Sequence, residues 1–149
     1  MKAAAAACAA AVFLPLALVL LLAGQNSAAG IGSELAGAPT AEAKRDIPPA
    51  HLRWYLDAAA TCPGLPWNVL AAIGKIESDH GRSRLPGVTS GENHAGAGGP
   101  MQFLASTWAA YGVDGDRDGR KDRYDPADAI HGAANYLCAN GAGKGGNHL

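Results

Sequence analysis

The chain has 149 residues, a formal net charge of −1 and an aromatic content of 6%. A chain of this length holds one small domain, and its near-neutral charge argues against an electrostatic interface with nucleic acid. A core that contains so few large side chains often needs a covalent or metal staple.

The N-terminal segment is predicted to direct export. Lys2 is followed by an uncharged apolar run from Ala3 to Gly24 and then by small polar residues. This order is typical of a secretory signal, which we assign to residues 1–29. The apolar run is also long enough for a membrane anchor, which is the alternative. In both cases we expect the remaining chain to lie outside the cell or in the cell wall.

The remaining sequence divides into a linker, a helical domain and a tail. Residues 30–46 are rich in small residues without periodicity and predict a flexible linker. Residues 47–140 predict a mainly α-helical domain, because apolar side chains recur at helical spacing and no long segment alternates with a period of two. Residues 141–149 predict a disordered tail. Four helices are expected, one between "DIPP" and "CPG" and three at about 66–79, 100–111 and 126–139.

Two cysteines remain once the signal is removed. Cys62 ends the first predicted helix and Cys138 lies in the last turn of the fourth. An oxidising compartment allows these two residues a single pairing. We therefore predict a disulfide between them, with two buried free thiols as the alternative.

Glu77 has an unusual place on the second predicted helix. Successive residues turn by roughly 100°, so Lys75 and Asp79 share a polar face, whereas Glu77 lies opposite them between Leu70 and Ile73. Burial and the C-terminal end of a helix both favour the neutral form of a carboxyl group. A carboxyl that keeps its proton near neutral pH is suited to general acid catalysis.

The stretch "DGDRDGRKDRYD" predicts a structural calcium loop of the EF-hand type. Its carboxylates fall at positions 1, 3, 5, 9 and 12, Gly119 falls at the sharp-turn position 6, and position 7 offers a backbone carbonyl. A solvated acidic loop is the alternative. The predicted ligands are Asp114, Asp116, Asp118, Arg120, Asp122 and Asp125.

Three motifs together resemble a known family. "AAIGKIESDHG", "GAGGPMQFLASTW" and "VDGDRDGRKDRYDPADAIHGAANYL" occur in the order seen in the lytic transglycosylase domain of bacterial murein-degrading enzymes. The sequence is most similar to the membrane-bound B-type branch, as found in exported actinobacterial proteins. This resemblance implies a lysozyme-like helical fold with a groove for peptidoglycan glycan strands. We expect a monomer, no protein partner is implied, and no cofactor is expected for catalysis.

The resemblance also assigns roles to residues. Glu77 corresponds to the catalytic glutamate, which protonates the oxygen between N-acetylmuramic acid and N-acetylglucosamine. The resulting carboxylate then takes the proton of the muramoyl C6 hydroxyl, which closes a 1,6-anhydro ring. Gln102 is expected to bond a sugar, and Tyr136, in the "ANY" motif, is assigned to the core. The "G-P-M-Q-F" motif that lines the groove corresponds to Gly99, Pro100, Met101, Gln102 and Phe103.

Three alternatives remain open at this stage. Glu77 could be a structural residue that is hydrogen-bonded to Arg82 or Arg84. A lysozyme-type hydrolase would use Glu92 as a second carboxylate. A non-catalytic peptidoglycan-binding domain would fit the sequence after Asn140, which lacks the "A-Y-N" motif with which relatives usually continue.

Overall fold

The computed structural model describes residues 37–143 and is mainly helical, as predicted. The predicted signal, residues 1–29, lies outside the described residues. No helix within the described range is long and apolar enough to cross a membrane. The strands β1 and β2 span Ala97–Gly98 and Phe103–Leu104. The helices are α1 (Ala41–Asp46), α2 (Pro49–Ala60), α3 (Trp67–Ser78), α4 (Ala105–Tyr111) and α5 (Pro126–Ala139).

Local sequence signals explain the ends of the long helices. Pro49 and Pro126 occupy the first positions of α2 and α5, where the fixed φ of proline suits a helix and no N–H is needed. The Asp125 side chain caps α5 by accepting the backbone N–H of the second and third residues. Helix α3 ends at Asp79, which adopts the left-handed conformation with φ of 51°. The three long helices therefore lie close to their predicted bounds.

The core forms where α2 packs against α3 and α5. Tyr55, Leu70 and Ile130, one from each of these helices, are fully buried. The Tyr55 hydroxyl shares a hydrogen bond of 2.9 Å with Nδ1 of the buried His80. Helix α3 approaches the tyrosine at Gly74, where a Cβ atom would lie 2.0 Å from the hydroxyl oxygen. The core thus fixes α3, the helix that carries Glu77, against α2.

The predicted disulfide is confirmed. Cys62 and Cys138 are bonded, with their Cα atoms 5.7 Å apart and a sequence separation of 76 residues. The bond joins the C-terminal side of α2 to the last turn of α5 and supplies the covalent staple that the sparse core suggested.

Part of the predicted flexible linker is helical. Residues 41–46 form α1, and Thr40 caps its start by accepting the N–H of Ala43 at 3.2 Å. The prediction was wrong for this stretch because "AEAKRD" combines good helix formers with a capping threonine.

The predicted third helix also begins later than expected. Residues 97–104 form a small antiparallel hairpin in which Ala97 pairs with Leu104, and α4 starts only at Ala105. Gly99 and Gln102 have φ of 82° and 49°, and these left-handed conformations are incompatible with a continuous α-helix.

Candidate active site

A mostly apolar cavity lies between α3, the hairpin, α4 and α5. Backbone elements from three parts of the sequence supply its wall, so it exists only in the folded domain. The lining residues are Ile73, Glu77, Met101, Gln102, Phe103, Leu104, Thr107, Ala133, Tyr136 and Leu137.

Glu77 is half-buried in the wall of this cavity. Burial raises the pKa of its carboxyl group. The suggested structural partner Arg82 is engaged elsewhere, because its guanidinium donates to Asp79 Oδ1 at 2.8 Å and to the backbone oxygen of Asp46 at 2.5 Å. The carboxyl group therefore faces an apolar space, and its protonated form is favoured there.

Ser78 fixes the end of α3, and the sequence analysis did not identify this role. Its hydroxyl donates to the Pro100 carbonyl at 2.6 Å and accepts the N–H of Gly81 at 2.7 Å. The side chain is 2% exposed. It ties the turn that carries Glu77 to the "G-P-M-Q-F" segment. The "ES" pair was a possible sequence signal for this role. A serine in the last turn of a helix makes few apolar contacts, so its hydroxyl is available for a hydrogen bond.

The "G-P-M-Q-F" segment contributes three of its five residues to the cavity wall. Met101, Gln102 and Phe103 line the cavity. Gly99 and Pro100 are buried and are not among the lining residues.

The Gln102 amide is already occupied by contacts within the protein. Its oxygen accepts from Asn93 Nδ2 at 2.9 Å, and its nitrogen donates to the carbonyls of Gly99 at 2.8 Å and Gly87 at 3.3 Å. These bonds fix the neighbouring loop to the hairpin, and the bond from Gln102 to a sugar stays a prediction.

Tyr136 packs against the core, as predicted, and also lies on the cavity wall. It is half-buried, and its ring makes an edge-to-face contact with Tyr111 at a centroid distance of 5.0 Å. Ala133, Tyr136 and Leu137 share one face of α5, which is the spacing that could have indicated a common surface.

Glu92 lies outside the lining set and is paired with Arg123, whose Nη2 is 2.5 Å from Glu92 Oε1. Among the described residues that line the cavity, Glu77 is the one acidic side chain. The arrangement therefore offers one carboxyl for proton transfer and not the pair that ordinary glycosidases use.

The acidic loop brings three carboxylates together. Oxygen atoms of Asp114, Asp116 and Asp128 lie within 4.8 Å of one another. Asp128 was not predicted, because it lies on α5 beyond the loop. The predicted ligand Asp125 is not in this cluster, and its carboxylate accepts the N–H of Ala127 at 2.7 Å as the α5 cap.

Two other predicted ligands, Asp118 and Asp122, are not in this cluster of three carboxylates. Asp118 Oδ1 accepts the N–H of Arg120 at 2.8 Å, and Asp122 Oδ1 accepts the N–H of Tyr124 at 2.8 Å. Both carboxylates are held by local turns.

The cluster suits a hard cation such as calcium. Asp128 is 2% exposed, and its carboxylate accepts the N–H groups of Gly115 at 2.6 Å and Asp122 at 2.8 Å. A buried carboxylate beside two further carboxylates is stabilised by a cation that binds oxygen. Gly119 has φ of 91° at the position where an EF-hand loop turns sharply. The donor set and the turn therefore fit the ion.

Part of the chain is similar in sequence to known transglycosylases. Residues 88–148 match the family model described as "Transglycosylase SLT domain". The match contains Met101, Gln102, Phe103 and the acidic loop, and it begins after Glu77. A stretch of 51 residues is 47% identical to the membrane-bound lytic murein transglycosylase B of Escherichia coli K12 and covers 34% of this chain and 14% of that protein.

The fold is similar to that of solved lytic transglycosylases. Two structures of Slt35 from Escherichia coli, one in complex with calcium and one with bulgecin A, each give a TM-score of 0.51 at 23% and 22% identity. They are matched over 84% of this chain and over 53% and 54% of their own length. The chain thus spans about half of these proteins and a smaller part of the curated relative. The family model and the sequence match support a lytic transglycosylase domain in this chain, and the structural matches show that the fold is similar.

Proposed function

We propose that the domain is a peptidoglycan lytic transglycosylase that cleaves the bond between N-acetylmuramic acid and N-acetylglucosamine. Glu77 acts as both acid and base. The observation that carries this proposal is the single half-buried carboxyl, with its raised pKa, in the wall of an apolar cavity.

The chemistry needs one group that gives and then takes a proton. Protonated Glu77 transfers its proton to the glycosidic oxygen while the bond from that oxygen to the muramoyl C1 breaks. The muramoyl O6 then bonds to C1, and its proton moves to the Glu77 carboxylate. The products are a 1,6-anhydromuramoyl end and a free glucosaminyl hydroxyl, and Glu77 is again protonated. Water is not consumed, which agrees with the apolar wall of Ile73, Met101 and Phe103.

Two other functions give different outcomes in one assay. A lysozyme-type hydrolase needs a second carboxylate, and the ion pair between Glu92 and Arg123 disfavours Glu92 in that role. A hydrolase would leave reducing ends. A non-catalytic binding domain would bind sacculi without releasing muropeptides.

The test compares the wild-type protein, Glu77→Gln and the control Glu42→Gln on purified sacculi. Glu42 is an exposed residue of α1. We expect anhydromuropeptides from the wild type and the control, and a rate at least about 100-fold lower for Glu77→Gln, since an amide cannot deliver the proton. An active wild type whose rate survives Glu77→Gln would show that the acid is another residue.

We also propose that the acidic loop binds calcium with a structural role. The support is the carboxylate cluster of Asp114, Asp116 and Asp128, together with a calcium complex of Slt35, which has a similar fold. When bound, the ion would offset the charge of these carboxylates and fix the loop on α5. Sites of dissociation constant about 0.1 to 1 mM gain about 1–2 kcal/mol of stability in several millimolar calcium.

Thermal unfolding tests the calcium proposal. Calcium should raise the melting temperature of the wild type by several degrees relative to chelator, and Asp116→Ala should remove this gain. The control Asp57→Ala, at an exposed position on α2, should keep it. Identical melting curves of the wild type in calcium and in chelator would exclude the site.

The location and domain limits are further parts of the proposal. We propose that residues 1–29 direct export or anchor the chain, and that residues 47–140 act as a monomeric domain in the cell wall. The disulfide supports an oxidising compartment. Fractionation of the producing cells tests this part. An exported form that still contains residue 1 indicates a retained anchor, and an exported form without it indicates a cleaved signal.

A further inference from the structure

We infer that Arg123 is a positioning residue, which holds the hairpin of residues 97–104 so that Met101 and Phe103 stay in the cavity wall beside Glu77. Among the described hydrogen bonds of its side chain, the one that reaches a lining residue goes to the Phe103 carbonyl. The consequence for catalysis rests on the proposed function, whereas the consequence for the hairpin does not.

The Arg123 guanidinium connects three separate groups. Nη1 donates to the Phe103 carbonyl at 3.4 Å, and Nη2 donates to Glu92 Oε1 at 2.5 Å and to the Tyr124 hydroxyl at 2.9 Å. The side chain is 13% exposed. A largely buried guanidinium with charged and neutral acceptors makes stronger bonds than an exposed surface pair. Arg123 therefore links the strand β2 to the loop that carries Glu92.

The backbone of residues 123 and 124 also contacts the hairpin directly. A Cβ at Gly99 would lie 1.8 Å from the Arg123 carbonyl oxygen. A Cβ at Gly98 would lie 2.8 Å from the Tyr124 hydroxyl and 3.1 Å from the Arg123 guanidinium. The two glycines thus allow the hairpin to lie against Arg123 with no side chain between them.

The loop on the far side of the hairpin is held by the same group of contacts. The Tyr124 hydroxyl donates to the Gly91 carbonyl at 2.5 Å, next to Glu92. Asn93 in this loop donates to Gln102 of the hairpin at 2.9 Å. The loop and the hairpin therefore form one unit, and Arg123 is where that unit meets the chain leading into α5.

Arginine is required because several acceptors must be reached from one rigid group. A lysine ammonium at this site could pair with Glu92 or bond the Phe103 carbonyl, but it lacks the planar fork that serves both. We expect Arg123→Gln to release the hairpin and Arg123→Lys to have an intermediate effect. Misplacement of cavity residues by about 1 Å can lower a rate by about 100-fold.

The experiment measures hydrogen exchange and kinetics on the full exported domain. In Arg123→Gln and Arg123→Lys, amides of residues 97–104 should exchange at least 10-fold faster than in the wild type, while amides of α2 stay unchanged. The control is Arg84→Gln, at an exposed arginine for which the described structure shows no side-chain hydrogen bond. With sacculi as substrate, kcat should fall 10-fold or more in Arg123→Gln, partly recover in Arg123→Lys and stay unchanged in Arg84→Gln.

The outcomes separate this inference from the proposed function. Unchanged exchange of residues 97–104 in both Arg123 variants would overturn the inference. Faster exchange with wild-type kcat would overturn its catalytic part. Should the wild type release no anhydromuropeptides, the proposed function fails, and the exchange data still decide whether Arg123 holds the hairpin. Should Arg123→Gln unfold globally, Arg123→Lys and Glu92→Gln, which removes only the charge of one acceptor, decide it instead.

Discussion

In the proposed mechanism Glu77 is the acid, and an apolar wall surrounds its carboxyl group. Its carboxyl lies in the cavity with Ile73, Met101 and Phe103, and burial raises its pKa. The neutral form therefore survives to a higher pH than that of a solvated glutamate, for which the pKa is about 4.3.

This shift predicts the pH dependence of the reaction. In the proposed mechanism the protonated acid is the active form, so the rate should be high below the raised pKa and should fall as pH rises through it. The pH–rate profile of glycan cleavage should therefore have a descending limb at the raised pKa. Met101→Thr, which brings a hydroxyl to the cavity wall, should move the limb to lower pH. A limb at the pKa of a solvated glutamate in the wild type would contradict the role of burial.

The buried His80 predicts a second pH effect, on stability. Burial lowers its pKa, as do the nearby positive charges of Arg82 and Lys75, while Asp46 acts in the opposite direction. Between this lowered pKa and the value of about 6.5 in the unfolded chain, the unfolded state binds more protons. Stability from His80 is therefore present above about pH 6.5 and is lost as pH falls through that window.

Urea unfolding between pH 5 and pH 8 measures this effect. The wild type should lose free energy of unfolding towards pH 5, and His80→Asn should show a smaller loss. His94→Asn, a change at an exposed histidine, should behave as the wild type does. Equal pH slopes in all three proteins would show that His80 is not the group responsible.

Some site residues were predictable and others were not, for a physical reason. The face occupied by Glu77 follows from helical periodicity within a few turns of sequence. Asp128 bonds Gly115, which is 13 positions away, and Ser78 bonds Pro100, which is 22 positions away. Such contacts depend on how distant segments meet in the fold, and no local spacing encodes them.

At the scale of elements, the contact between α2 and α3 depends on one glycine. Gly74 faces the Tyr55 hydroxyl, and a Cβ there would lie 2.0 Å from it. Alanine favours helices over glycine by about 1 kcal/mol, but overpacking a core costs about 1–3 kcal/mol. We expect Gly74→Ala to lower the free energy of unfolding, as measured in urea.

A double-mutant cycle identifies the clash. Tyr55→Phe removes the atom that the new methyl group would meet, so Gly74→Ala should cost less in that background than in the wild type. Strictly additive effects of the two changes would show that the clash lies elsewhere.

The elements themselves were predictable to different degrees. The helices α2, α3 and α5 have proline at or before their first residue and at least 12 residues each, which is enough length for a periodic pattern. The strands β1 and β2 have two residues each and cannot show alternation. The hairpin also depends on the left-handed conformation of Gln102, which its residue type did not indicate.

For the whole molecule, the disulfide is the largest single constraint on the unfolded chain. It closes a loop of 76 residues, for which chain-entropy arguments give about 4 kcal/mol of stabilisation. The double variant Cys62→Ala, Cys138→Ala should lose about this free energy in urea unfolding. Reduction of the wild-type protein should give a similar loss. A double variant as stable as the wild type would contradict this estimate.

The placement of this bond also determines what a protease could do to the domain. All cavity-lining residues lie between Cys62 and Cys138, as do the exposed stretches 89–92 and 116–121, where cleavage is easiest. A cut near residue 90 would leave Glu77 on one fragment and the hairpin on the other. Because the disulfide still joins the fragments and their helices share one core, the nicked domain should keep both sides of its cavity and separate only after reduction.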